Sequence, residues 1–340
     1  MSVRDELQST IEALTQKGKG ILAADESNPT MGKRLQAVGV ESTEENRRQY
    51  RALLLSTEGI GEFINGIIMF EETLGQKADD GTPLTELAVR QGIVPGIKVD
   101  KGKGPLAGAP GDEITRGLDG LDERLAGYKE QGARFAKWRC VYHISDTLPS
   151  RLAVEANAEV LARYAAVCQE LGIVPIVEPE VLMDGGHSIE RCGEVTEAVQ
   201  HEVFHALYRH RVTLEHMVLK PNMVVSGKEH SHQAGPDEVA ERTVSLMLRT
   251  VPAAVPTINF LSGGQSPEEA TANLNAINQQ PHRPWHLSFS YGRALQETAL
   301  KAWRGEPGNA GRAQQAFYER ARLNSAARNG EYSASMEAAA

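Results

Sequence analysis

Seven charged residues stand where a buried strand should be apolar. Lys98 and Asp100 lie two apart in Gly-Ile-Lys-Val-Asp, Lys137 and Arg139 in Phe-Ala-Lys-Trp-Arg, and Glu178 and Glu180 in Val-Glu-Pro-Glu. Lys220 follows in Val-Leu-Lys-Pro-Asn. Side chains alternate faces along a strand, so the members of each pair point the same way. Strands of a parallel sheet are covered on both faces and normally read as continuous apolar runs, which makes these interruptions informative. Structural ion pairs plugging a barrel interior are one reading. Four strands contributing charge at one depth favour the other, a functional site, because buried charge is costly unless it is paired or used.

The residue types suggest a reaction class. A lysine must be neutral to attack a carbonyl, and nearby cations and desolvation favour the neutral amine. Lys137 and Lys98 would supply that pressure on Lys220. Glu178, Glu180 and Asp25 are candidates for proton transfer. Two glycine-containing turns follow late strands: Phe260-Leu261-Ser262-Gly263-Gly264 and Phe289-Ser290-Tyr291-Gly292-Arg293. Glycines let backbone N–H groups approach an oxyanion, and Arg293 can add a charged contact. Arg34 and Lys33 could serve a second phosphate, although Lys33 reads equally well as surface charge. Lysine, carboxylates and a phosphate cradle describe an enzyme forming an imine with a phosphorylated ketose. A protonated imine is itself the electron sink, so this chemistry calls for no metal and no other cofactor.

Eight short apolar runs must position these groups: Gly20–Glu26, Phe63–Phe70, Gly96–Val99, Phe135–Val141, Ile173–Val181, Met217–Met223, Thr257–Leu261 and His286–Tyr291. Their starts fall roughly 30 to 40 residues apart, the repeat of a (β/α)8 barrel. Helix-start signals lie between them. Ser42-Thr43-Glu44-Glu45 and Ser266-Pro267-Glu268-Glu269 read as capping boxes, and Pro149-Ser150 opens an Ala-rich helix that ends at Gly172. The expected fold is α/β, a single TIM barrel over residues 1–330 with an N-terminal helical extension, followed by a short flexible C-terminal tail, 331–340. In a barrel the spaced charges must point inward near the C-terminal strand ends, where such enzymes build their sites.

The 340 residues are 41% hydrophobic and 24% charged, with a net charge of −9. That charge argues against a nucleic-acid partner, which needs a basic field. Three cysteines, Cys140, Cys168 and Cys192, have no metal-ligand spacing and read as buried thiols of a reducing compartment. The polar N-terminus does not read as a signal peptide, and no apolar run approaches the ~18 residues of a membrane span. These features predict a cytoplasmic protein without a membrane partner. A rival signal is His201-Glu202-Val203-Phe204-His205, the H-E-x-x-H string of zinc proteases. Its longer form needs Gly and His where this chain has Tyr208 and Arg211, and its helix would lie outside the barrel. His230-Ser231-His232 reads as a polar loop.

Nine ordered segments resemble class I fructose-bisphosphate aldolases. They are Leu-Ala-Ala-Asp-Glu-Ser (22–27), Thr-Glu-Glu-Asn-Arg-Arg (43–48), Gln-Lys-Ala-Asp-Asp-Gly (76–81), Gly-Ile-Lys-Val-Asp-Lys-Gly (96–102) and Phe-Ala-Lys-Trp-Arg-Cys-Val (135–141). They continue with Ile-Val-Pro-Ile-Val-Glu-Pro-Glu (173–180), Leu-Lys-Pro-Asn-Met (219–223), Phe-Leu-Ser-Gly-Gly-Gln-Ser (260–266) and Phe-Ser-Tyr-Gly-Arg-Ala-Leu (289–295). The resemblance implies that Lys220 forms the Schiff base and that Glu178 is the main general acid/base. Asp25 would support the proton transfer, and Lys137 would position substrate and stabilise charge. Glu180 and Arg139 would hold these groups. Ser262, Gly263, Gly264, Ser290, Gly292 and Arg293 match the C1-phosphate cradle, and Arg34, Ser27 and Lys98 the C6-phosphate end. The implied substrate is a phosphorylated ketose, fructose 1,6-bisphosphate, cleaved reversibly to dihydroxyacetone phosphate and glyceraldehyde 3-phosphate. The implied assembly is a homotetramer. Two departures stand out: many family members carry a longer tail with a terminal tyrosine, whereas the last tyrosine here is Tyr332, and Asn28-Pro29-Thr30 differs from the family's commoner small-residue loop.

Overall fold

A computed structural model describes residues 2–339. Helix α1 (Val3–Leu14) precedes strand β1 (Gly20–Ala24), followed by α2 (Asn28–Gln36) and α3 (Glu44–Leu55). Next come β2 (Ile64–Met69), α4 (Glu71–Leu74), α5 (Leu84–Arg90) and β3 (Val94–Lys98). A hairpin, β4 (Lys103–Pro105) with β5 (Glu113–Thr115), interrupts the alternation before α6 (Leu121–Glu130) and β6 (Phe135–Tyr142). The second half runs α7 (Arg151–Glu170), β7 (Val174–Val181), α8 (Ile189–Arg209), β8 (Val218–Leu219), α9 (Pro236–Thr250) and β9 (Thr257–Phe260). It ends with α10 (Pro267–Gln279), β10 (His286–Tyr291), α11 (Arg293–Trp303) and α12 (Ala310–Arg328). Eight parallel strands close in the order β1-β10-β9-β8-β7-β6-β3-β2, the expected TIM barrel.

Alternation along the strands sorts the interior into layers. Ile21, Ala23, Ile68, Phe135, Val174, Ile176 and Val218 form an apolar floor, which Leu7, Ile11 and Leu14 of α1 cap from below. The N-terminal extension is thus a plug for the barrel's lower end. It starts in a capping box, with Ser2 accepting from Asp5 N and the Asp5 carboxylate accepting from Ser2 N. Phe135 fills the floor only because its neighbours are small. A Cβ added at Gly96 would stand 2.3 Å from the Phe135 ring, far inside contact distance. Two residues beyond the floor, Asp25 follows Ala23, Lys137 follows Phe135, Glu178 follows Ile176 and Lys220 follows Val218.

Local details differ from expectation for identifiable reasons. Helix α3 starts at Glu44 with Thr43 as N-cap; its third residue is Asn46, which leaves the expected capping box open. The box at Ser266 and Glu269 closes on both sides. Strand β8 is two residues long rather than seven, since Pro221 has no N–H to donate to a ladder. Lys220 N still donates to Val177 O at 2.8 Å, so the lysine keeps strand-like placement. The segment after residue 330 carries specific contacts. Glu337 takes both carboxylate oxygens to Arg320, at 2.7 and 2.6 Å, and accepts from the Tyr332 hydroxyl at 2.9 Å. Among the described residues, no helix is long and apolar enough to cross a membrane.

Candidate active site

Above the apolar floor, four charged side chains form an alternating chain. Lys137 Nζ lies 2.7 Å from Asp25 Oδ2 and 3.1 Å from Glu178 Oε2. Lys220 Nζ lies 3.1 Å from Glu178 Oε1, so this carboxylate bridges the two lysine nitrogens. All four residues are buried, at 9% relative exposure or less. Strand register sets further charges beside them: Lys98 pairs with Lys137 and Arg139 with Glu178 across neighbouring strands. Arg139 makes a close ion pair with Glu180, and Lys98 Nζ stands 3.0 Å from Asp100 Oδ1.

The electrostatics follow from burial opposed by pairing. Desolvation alone would raise the Asp25 carboxyl, but Lys137, Lys220 and Lys98 outweigh it and hold the group at about 2, below its ordinary 3.8. Glu178 is also lowered, burial again being overcome by Lys137, Lys220 and Arg139. Lys137 moves the other way: burial would lower it, and Asp25 and Glu178 raise it well above a normal lysine. Both carboxylates are therefore ionised at neutral pH and Lys137 is an ammonium. A carboxyl lowered on folding stabilises the protein above its unfolded value and stops doing so as pH falls through its folded value. Asp25→Asn should therefore cost stability at neutral pH and flatten the loss of Tm between about pH 4 and pH 2. An acid limb identical to the wild type's would show that Asp25 gains nothing from its ammonium neighbours.

The chain of charges opens into a cavity of about 730 Å³ lined by residues from all around the mouth. Every residue expected at the site lines it: Lys220, Glu178, Asp25, Lys137 and Glu180, then Arg34, Ser27, Lys98 and Arg139, then Ser262, Gly263, Gly264, Ser290, Gly292 and Arg293. Lys33, the doubtful partner of Arg34, is exposed and does not. On one side, the turns after β9 and β10 converge. Arg293 Nη2 donates to Gln265 O at 2.7 Å and ties the two turns together. Ser290 Oγ is buried without a protein partner. A Cβ at Gly263 would stand 2.6 Å from Glu180 Oε1, so any side chain there would push that carboxylate aside. Gly292 caps α11, whose N-terminus offers free N–H groups and a positive dipole end to an anion.

Sequence reasoning missed the support around Arg34. Glu26 accepts from Arg34 and from Gln296 Nε2, the latter at 2.9 Å. Arg51, 1% exposed, donates to Glu26 O at 2.7 Å and lies 3.6 Å from Glu72. The available signal was periodicity: Arg47, Arg51 and Leu55 share the buried face of α3 at four-residue spacing. The histidines of the rival string lie elsewhere. His201 and His205 are exposed on α8, outside the barrel, and neither lines the cavity. Among the described residues, no group of three or more His, Cys, Asp or Glu side chains is placed to hold a metal ion.

Comparison with known proteins agrees over nearly the whole chain. Residues 6–340 match the family described as fructose-bisphosphate aldolase class-I. A non-muscle fructose-bisphosphate aldolase of Lethenteron camtschaticum is 56% identical over 97% of this chain and 91% of its own length. A probable class 1 fructose-bisphosphate aldolase of Xanthomonas campestris pv. campestris is 54% identical over 96% of this chain and 98% of its own. The crystallised fructose-bisphosphate aldolase of Plasmodium falciparum, in complex with TRAP and a small-molecule inhibitor, superposes with a TM-score of 0.96 at 49% identity, covering 97% of this chain and 96% of that one. With the closed barrel and its lysine–carboxylate chain in place, these similarities lead to one conclusion: the chain belongs to the class-I fructose-bisphosphate aldolase family, metal-independent lyases that reversibly cleave fructose 1,6-bisphosphate in glycolysis.

Proposed function

We propose that Lys220 is the covalent nucleophile of this cleavage and Glu178 its principal proton-transfer group. The observation that carries the assignment is Glu178 bridging Lys220 and Lys137 at 3.1 Å on either side. The Lys220 amine, once neutral, adds to the C2 carbonyl of the open-chain sugar. Loss of water from the carbinolamine gives a protonated imine, with Glu178 moving the protons. The C4 hydroxyl proton then passes to a carboxylate as the C3–C4 bond breaks, and its electron pair moves into the imine as an enamine. Glyceraldehyde 3-phosphate leaves. Protonation of the enamine at C3 and hydrolysis release dihydroxyacetone phosphate and the free amine. Lys137 stays cationic through these steps, balanced by Asp25, and offsets charge developing on Glu178 and the departing oxygens. The cradle of Ser262, Gly263, Gly264, Ser290, Gly292 and Arg293 takes the C1 phosphate. Arg34, Ser27 and Lys98 would serve the C6-phosphate end, with Arg139, paired to Glu180, supporting them.

The chain works as a homotetramer in the cytoplasm on this reading. Its three cysteines are buried and unpaired, in keeping with a reducing compartment. Purified enzyme should cleave fructose 1,6-bisphosphate undiminished in EDTA, and light scattering on the same sample should give four chain masses. Activity lost in EDTA and restored by a divalent metal would overturn the mechanism; a monomer or dimer would overturn the assembly. Fractionation of cells expressing the tagged chain checks the compartment, and recovery in a membrane pellet would count against it.

A further inference from the structure

The cavity reaches beyond the groups assigned so far, to the rim carrying the β4–β5 hairpin. We propose that Lys103 is a further substrate-binding residue, contacting the phosphate remote from the β9 and β10 turns and so favouring bisphosphate over monophosphate sugars. The proposal rests on the reading of the cavity given above.

Topology supplies the first argument. In the closed order of strands, the β9–β10 pair stands half-way round the barrel from the β6–β3 pair. On the reading that Lys98 of β3 serves the remote phosphate, a sugar with one phosphate in the glycine turns and its carbonyl at Lys220 on β8 extends toward the β6–β3 rim. The hairpin that joins β3 to β6 rises from that rim. Its register pairs Lys103 with Thr115, and both residues line the cavity. Thr115 Oγ1 donates to Arg139 O at 2.8 Å, which anchors the hairpin beside Arg139.

Availability supplies the second. Arg139 is held by buried Glu180 and Lys98 by buried Asp100, so neither brings an uncompensated charge to a dianionic phosphate. Lys103 lies 2.5 Å from Glu113 Oε2, but its side chain is 41% exposed on a short strand and can turn at little cost. Glu113 would not be stranded, because His143 Nε2 stands 3.0 Å from the same oxygen. Burial tends to raise the Glu113 carboxyl, yet Lys103 and His143 together hold it below its ordinary value, as expected of an acid with two partners. Lys101, two residues earlier, also lines the cavity and is paired there with Glu71 at 2.8 Å.

Steady-state kinetics on fructose 1,6-bisphosphate and fructose 1-phosphate test the assignment. Lys103→Gln should raise KM for the bisphosphate about fivefold, the scale of one partly exposed charge contact, with kcat little changed. Fructose 1-phosphate, which lacks the remote phosphate, should keep wild-type constants, and its unaltered cleavage shows that the variant folds. Lys103→Arg should restore bisphosphate binding, and Glu113→Gln, which frees Lys103, should lower KM for the bisphosphate alone. Equal changes for both sugars, or no change for either, would overturn the proposal. Wild-type enzyme that cleaved neither sugar would instead sink the reading of the cavity, and Lys103 with it.

Discussion

Lys220→Met is expected to lower kcat by at least ~10⁴-fold, the scale of removing a covalent nucleophile. Methionine nearly preserves the volume of the lysine stem, so the apolar floor below it stays filled. Glu178 loses one lysine partner but keeps Lys137 at 3.1 Å, so the folded state retains a partner for its buried carboxylate. The variant should therefore fold, bind a bisphosphate sugar with near wild-type affinity and fail at chemistry. Stopped turnover with retained binding, measured by calorimetry against kcat, is the expected pattern. A variant with more than about one hundredth of wild-type kcat would remove Lys220 from the covalent role.

Glu178→Gln should lower kcat by ~10²- to 10⁴-fold, as expected for losing a positioned proton carrier. Glutamine keeps the shape and one acceptor but cannot exchange a proton, so KM should move far less than kcat. The substitution carries a structural cost as well. Lys137 and Lys220 then lose the carboxylate that bridges them, leaving Asp25 at 2.7 Å as the close partner of Lys137, and breaking such a buried pair typically costs about 3–5 kcal/mol. Rates must therefore be read well below the lowered Tm. Because imine formation and C–C cleavage both draw on the same carboxylate, single-turnover traces should slow in both phases. A kcat within threefold of the wild type would transfer the proton-carrying role elsewhere, with Asp25 the nearest candidate through Lys137.

The charged layer was legible because strand alternation has a period of two and burial makes it strict. Once Lys137 is taken as inward, Phe135 and Arg139 must be inward too, and the structure puts one in the floor and the other in the cavity lining. Barrel closure was legible from counting eight apolar runs. What stayed hidden depended on contacts between distant segments. Glu26 sits beside Asp25 in sequence, yet its role in holding Arg34 and Gln296 appears only when α2 and α11 fold against β1. The β4–β5 hairpin has short strands, partly exposed, with no apolar alternation to announce them. The contact of Glu337 with Arg320 spans 17 residues and carries no local pattern at all. The shortness of β8 could have been read from Pro221, one residue past the lysine.

Imine formation between Lys220 and the ketose is the step on which the other assigned roles depend. Borohydride reduction in the presence of fructose 1,6-bisphosphate and EDTA, followed by peptide mass spectrometry, tests it most directly. One stable sugar-phosphate adduct per chain is expected, on Lys220, with irreversible loss of activity in proportion to labelling. An adduct on Lys137 or Lys98 would contradict the assignment of roles, and full activity after reduction with no adduct would contradict the imine mechanism itself.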